Sequence, residues 1–105
     1  FAELMQLNHK PSVILCSNDV LAVGAIMQAR KMNISVPEDI SITGFDDIDI
    51  AEIVTPTLAT VHVPHGRMGQ AAAGLLLKMR AGDTNNKSIK LSTNTVLRES
   101  LRYYP

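Results

Sequence analysis

The sequence predicts an α/β fold, a parallel sheet flanked by helices. Two observations carry that expectation. Strand-like runs alternate with segments of helical period, the order of a sheet whose strands are joined by crossover helices. The first such run, "SVILCS" (12–17), is continuously apolar and contains β-branched residues, the mark of a strand covered on both faces. A third observation concerns function. The distinctive polar residues fall just past the ends of the predicted strands, at the edge where open sheets of this class bind ligands.

The elements follow in order. Leu4, Met5 and Leu7 have near-helical spacing, and Pro11 ends the pattern. After the strand at 12–17, "NDVLAVGAIMQARKMN" (18–33) predicts a helix. Asn18 and Asp19 are good helix-start residues, since their side-chain oxygens accept bonds from orphan backbone N–H groups. Its wheel has two apolar faces. Leu21, Ala22, Ala25, Ile26 and Ala29 form one, while Val20, Val23, Gly24 and Met27 form the other and need a second cover. "NISVPED" (33–39) reads as a turn punctuated by Pro37.

"ISITGF" (40–45) and "LATVHV" (58–63) predict two further strands, with a loop between them. Pro64 sits where a helix N1 proline belongs. The helix from Pro64 to about Ala81 carries a stripe of Met68, Ala71, Ala72, Leu75, Leu76 and Met79, with Gly82 as its C′ residue. "DTNNK" (83–87) is a polar loop, and "SIKLS" (88–92) and "TVLRESL" (95–101) predict two closing strands.

Composition narrows the function classes. The chain has 105 residues, at most one domain, with 46% hydrophobic and 19% charged residues, a globular balance. Ten basic and ten acidic residues cancel, so no polyanion-binding surface is expected. Cys16 is the single cysteine, which excludes an internal disulfide and a cysteine zinc cage. No segment approaches the ~20 apolar residues of a membrane span. The opening "FAELMQLNHKP" lacks the features of a signal peptide, and it reads as the tail of a helix in something longer.

The paired acids in "SITGFDDIDIAE" (41–52) focus the functional question. Adjacent acids leaving a strand point in different directions, so Asp46 and Asp47 make a poor catalytic pair. Asp19 with Asp46 has no nucleophile beside it, and no enzymatic chemistry is expected. His62 and His65 straddle Pro64 and share no helix face, so neither a metal site nor a cofactor is expected. No phosphate-cradling glycine motif occurs. Gly44, inside a strand, marks close packing. What remains is recognition of a polar ligand. A carboxylate accepts paired hydrogen bonds from hydroxyls or ring N–H groups, and Asn both donates and accepts. Capping or loop bracing is the better reading for Asp19, and a ligand role for Asp46.

Four motifs in order, "SND" before an Ala/Gly-containing helix, "VPEDISITGFDD", "TPTLATV" and "MGQAAAGLLL", together with the closing "VLRESL", resemble the LacI/GalR family of bacterial transcription regulators. The match spans roughly residues 11–101. The resemblance implies a partial periplasmic-binding-protein-like (Rossmann-like) subdomain. Residues 1–105 would be the C-terminal effector-binding and dimerisation part of the sensor core. The DNA-binding headpiece and most of the N-terminal subdomain would lie outside this chain. It further implies that Asn18 and Asp46 contact a small-molecule effector, a sugar or a nucleobase-like metabolite, and that Val63 and His65 lie near the cleft. Many members carry Gln where Val63 stands. Val20, Val23 and Met27, with Ile50, Ile53 and Val54, would form a homodimer interface. Operator DNA would be reached only through the absent N-terminal domain, and the protein would be cytoplasmic, with no membrane partner. The alternative is a periplasmic sugar-binding protein of a transporter, which shares the fold.

Overall fold

The computed structural model describes residues 1–83 and 88–103. A short 3₁₀ turn at Leu4–Gln6 precedes β1 (Val13–Leu15), α1 (Asp19–Lys31), β2 (Ser41–Thr43), α2 (Ile50–Ile53), β3 (Thr60–His62), α3 (His65–Arg80) and β4 (Asn94–Val96). The chain divides into two compact units. Phe1–His62 with the segment from Asn94 onward form the first, and Val63–Thr93 the second.

Among the described residues, the first unit holds every strand. β1 and β2 pair in parallel, with Ile14 opposite Ile42. Parallel bridges Thr43–Ala59 and Asp46–His62 continue the pairing towards β3. β4 then runs antiparallel to β3, with Val61 opposite Thr95. The sheet is therefore parallel as far as β3, and its last strand reverses.

The β2–β3 ladder starts with a substitute for a strand residue. Ser100 is fully buried. Its Oγ donates to Ile42 O at 2.6 Å and accepts from Ala59 N–H at 2.8 Å. Its N–H donates to Thr57 O, and its carbonyl accepts from Ile42 N–H. A buried amide or carbonyl without a partner is costly, and one serine satisfies both strands where they first diverge.

α1 packs its Ala22, Val23, Ala25 and Ile26 into a core with Ile42, Ala51 and Leu58. This corrects the helical faces. Val23, expected on the outer face, is only 9% exposed, whereas Leu21, expected inside, is 57% exposed. The two positions lie on the borders of the buried arc, so a modest rotation of the helix exchanges them. On the sheet's other side, an apolar recess of about 360 Å³ is lined by Leu15, Phe45, Val61, Leu97 and Leu101, among others.

Both long helices end in the same way. After α1, Asn33 adopts φ 55°, and the N–H groups of Asn33 and Ile34 donate to Arg30 O and Ala29 O. After α3, Gly82 adopts φ 91°, and Gly82 and Asp83 donate to Met79 O and Lys78 O. Each is a Schellman motif, whose left-handed residue favours Gly or Asn.

The second unit contains α3. Pro64 is its N-cap residue, not N1 as expected, and the helix starts at His65. Among the described residues none of α3 is fully buried, and its predicted apolar stripe is only partly covered: Ala71 and Leu75 are half-buried, whereas Leu76 is 60% exposed and Met79 55%. "SIKLS" (88–92) is not a strand: these residues make no ladder, and an alternating pattern without a partner strand gives only extended chain. Residues 84–87 of the expected polar loop lie outside the described residues. The closing strand is shorter than expected and turns away after Val96. No helix among the described residues is long and apolar enough to cross a membrane.

Candidate functional site

The carboxyl ends of β1 and β2 each lead into a pair of residues with side-chain amide or carboxyl groups. Asn18 is the N-cap of α1, and its Oδ1 accepts from Leu21 N–H at 2.9 Å. This bond assigns the oxygen end of the amide and aims the NH₂ end, which can only donate, away from the helix. Asp19 is fully buried. Its Oδ2 accepts from Ile48 N–H at 2.9 Å, and its Oδ1 accepts from the Thr60 hydroxyl. It therefore braces the loop after β2 and the start of β3, as its sequence position suggested. Close approach is what makes this possible. A Cβ on Gly44 would collide with Asp19 Oδ1 and come within 2.9 Å of Leu58 Cδ2.

The backbone of Asp19 also reaches the second junction, since its N–H donates to Phe45 O at 2.9 Å. Asn18 and Asp46 thus flank one main-chain hydrogen bond. Asp46 is half-buried, and its N–H donates to Val61 O at 3.0 Å. Asp46 and Asp47 have φ of 111° and 59°. Positive φ is uncommon outside glycine, although Asp and Asn tolerate it best.

Asp47 is held from two sides. Its Oδ1 lies 2.8 Å from Arg98 Nη1, and its Oδ2 lies 2.9 Å from His62 Nδ1. Arg98 also donates from Nη1 to Leu58 O and from Nη2 to Glu52 Oε1, each at 3.0 Å. Burial works against the ionised form of Asp47, but hydrogen bonds and charge from Arg98 and His62 outweigh it and hold the carboxyl below the ordinary carboxylate range. Burial likewise opposes the Arg98 charge, and Asp47 with Glu52 overcomes it, raising the guanidinium further. Burial pushes the Cys16 thiol up, which keeps it protonated and a poor nucleophile. Among the described residues, no cluster of His, Cys, Asp or Glu is arranged to hold a metal ion.

Of the residues singled out in the sequence, Asn18 and Asp46 come together in the first unit. Val63 and His65 lie in the second, where His65 N–H donates to Val63 O at 2.8 Å. Val63 keeps only 8% of its surface, while His65 is exposed. Val20 and Met27 are exposed at 61% and 57%, and Ile53 at 76%. Ile50 is 36% exposed, and Val54 packs against the core. Sequence reasoning missed Arg98, which holds Asp47, Glu52 and Leu58 O together at the junction. Its partners lie 40 or more residues away, and no local spacing signals such a contact.

Helices on a largely parallel sheet, with polar residues at the strands' carboxyl ends, define an α/β domain of the class whose ligands bind at that edge. Residues 2–101 match the family model described as a periplasmic binding protein-like domain, and the chain belongs to that family. Its relatives there are LacI-type regulators. The NTD biosynthesis operon regulator NtdR of Bacillus subtilis is 38% identical over 102 residues, covering 95% of this chain and 31% of its own length. The HTH-type transcriptional repressor CytR of Escherichia coli is 36% identical, covering 98% of this chain and 30% of its own length. A LacI family transcriptional regulator from Enterococcus faecium, solved with bound ribose, superposes with a TM-score of 0.86 at 32% identity, covering 95% of this chain and 37% of that one. This chain therefore spans under a third of the curated relatives' length.

Proposed function

We propose that this chain is the effector-sensing and dimerisation part of a cytoplasmic DNA-binding transcriptional repressor that responds to a small metabolite, a sugar. The observation that carries the reading is the junction of Asn18 and Asp46 around the Asp19–Phe45 hydrogen bond, at the carboxyl end of two parallel strands. An amide donor beside a carboxylate acceptor suits the vicinal hydroxyls of a sugar. The bound ribose of the Enterococcus faecium regulator supports the ligand class. DNA recognition would belong to sequence outside this chain, and effector binding would act on it by shifting the population of two conformations with different operator affinity. The exposed Val20, Met27, Ile50 and Ile53 support a role in self-association, with Val23 and Val54 contributing little surface. No catalytic role is proposed, nor any cofactor.

The test is calorimetric titration of the protein, carrying its natural flanking sequence, with D-ribose and cellobiose. Binding to the natural protein and a loss of at least about tenfold in Asp46→Asn, about 1.4 kcal/mol, are expected. Equal affinity in the variant would remove Asp46 from the site, and no sugar binding at all would overturn the sensor reading.

A further inference from the structure

The turn that presents Asp46 uses two successive non-glycine residues at positive φ, 111° at Asp46 and 59° at Asp47. Such a conformation persists only where surrounding groups over-determine it. Here the surrounding groups can be named. The Asp46 N–H is tied to Val61 O, and Asp46 bridges in parallel to His62. Asp47 is gripped by Arg98 Nη1 at 2.8 Å and by His62 Nδ1 at 2.9 Å.

Arg98 comes from the segment after β4, and its side chain is only 13% exposed. Its two nitrogens divide among three elements. Nη1 serves Asp47 and the carbonyl of Leu58 ahead of β3, and Nη2 serves Glu52 on α2. A planar guanidinium can reach all of these at once, whereas an ammonium on a flexible stem cannot.

We infer that Arg98 and His62 are positioning residues for the effector-binding carboxylate of Asp46: by clamping Asp47 they lock the 46–47 turn in its strained conformation and so fix where the Asp46 side chain starts. The inference rests on the sugar-binding role proposed for Asp46. Its distinctive consequence is that effector affinity depends on a residue that touches no effector. A preformed turn saves the ligand the cost of ordering it.

Two measurements on the protein with its natural flanking sequence decide the matter, each made on the natural chain, Arg98→Met and Arg98→Lys. The first needs no ligand. Amide exchange at Asp46, whose N–H bonds Val61 O, is compared with that at Cys16, whose N–H bonds Thr43 O on the far side of β2. Arg98→Met is expected to speed exchange at Asp46 at least about tenfold more than at Cys16, a difference of about 1.4 kcal/mol in local opening. Equal changes at both amides would mean general loosening and would overturn the clamp. The second is titration with D-ribose and cellobiose well below the unfolding midpoint. A sugar that binds the natural chain should bind Arg98→Met at least about tenfold more weakly, with partial recovery in Arg98→Lys. Unchanged affinity in a variant whose turn has been released overturns the positioning role while leaving the sensor reading intact. Absence of sugar binding by the natural chain overturns the sensor reading, and the ligand half of this inference falls with it.

Discussion

The two strand-to-helix junctions at the carboxyl ends of β1 and β2 use nearly the same dipeptide in different ways. After β1, Asn18–Asp19 sits in regular geometry: Asn18 is extended and caps α1, and Asp19 enters the helix. After β2, Asp46–Asp47 turns through positive φ, and the short α2 that follows has no side-chain cap at Asp49. In both pairs the second residue is committed to the scaffold. Asp19 is braced by neutral donors in the interior, Ile48 N–H and the Thr60 hydroxyl. Asp47 is braced by charged and titratable partners nearer the surface, Arg98 and His62. The difference teaches that the second place in the pair carries the same scaffold role at both junctions, while burial and the charge of the partners set how that acid is held. The buried bracket depends on close packing, whereas the one nearer the surface is exposed to screening by salt.

The comparison can be broken most forcefully at Asp19. Asp19→Ala orphans Ile48 N–H and the Thr60 hydroxyl and empties a fully buried site. A loss of about 3 kcal/mol is expected from the unsatisfied groups. It would be read as a lower urea midpoint at unchanged slope, and a change under ~0.5 kcal/mol would deny the bracket.

The ionic bracket should yield less, about 1–2 kcal/mol for Asp47→Asn at neutral pH, since hydrogen bonds to charged groups are partly offset by solvation. Its sign with pH is definite. The Asp47 carboxyl titrates lower in the folded chain than its unfolded value near ~3.9. The stabilisation is therefore complete above about pH 4 and is lost as pH falls through the folded value. Unfolding curves of the natural chain and Asp47→Asn should differ at pH 7 and converge below about pH 4. A gap that persists into acid would mean the residue acts through shape alone.

The smallest effect is expected at Glu52, which completes the Arg98 cluster but is 74% exposed. Glu52→Gln should cost at most ~0.5 kcal/mol, close to the limit of a denaturation midpoint. A loss as large as that of Asp47→Asn would show that the cluster works as a network and not as a ranked set of pairs.

How much of this was legible in the sequence follows from range. Features set by neighbours in the chain were readable. The apolar run before Asn18, the cap itself, the strand ending near Gly44, and Gly82 closing α3 all depend on residues within one or two turns. The fold class followed from their alternation. Features set across the sheet were not readable. Ser100 bonds Ile42 and Ala59, and Arg98 bonds Asp47, over separations of 41 to 58 residues for the serine. "VLRES" carries no periodicity that would announce either. The four-residue α2 is too short for a helical pattern to register. The exchange of Leu21 for Val23 has another cause. An alanine-rich helix offers little contrast between its faces, so which border residue turns inward is decided by the surface it packs on.

The pairing of β3 with β4 places His62 directly opposite Asn94. The chain leaves the first unit after one of these residues and re-enters at the other. The whole excursion 63–93 is thus an insertion whose two ends are already neighbours in a ladder. In engineering terms it is a cassette: a two-residue Asn-Gly turn from His62 to Asn94 would close an ordinary hairpin, and chain closure so short costs little entropy. The arrangement gives protein designers a ready excision point, and it gives evolution a place to exchange one segment without rebuilding the rest.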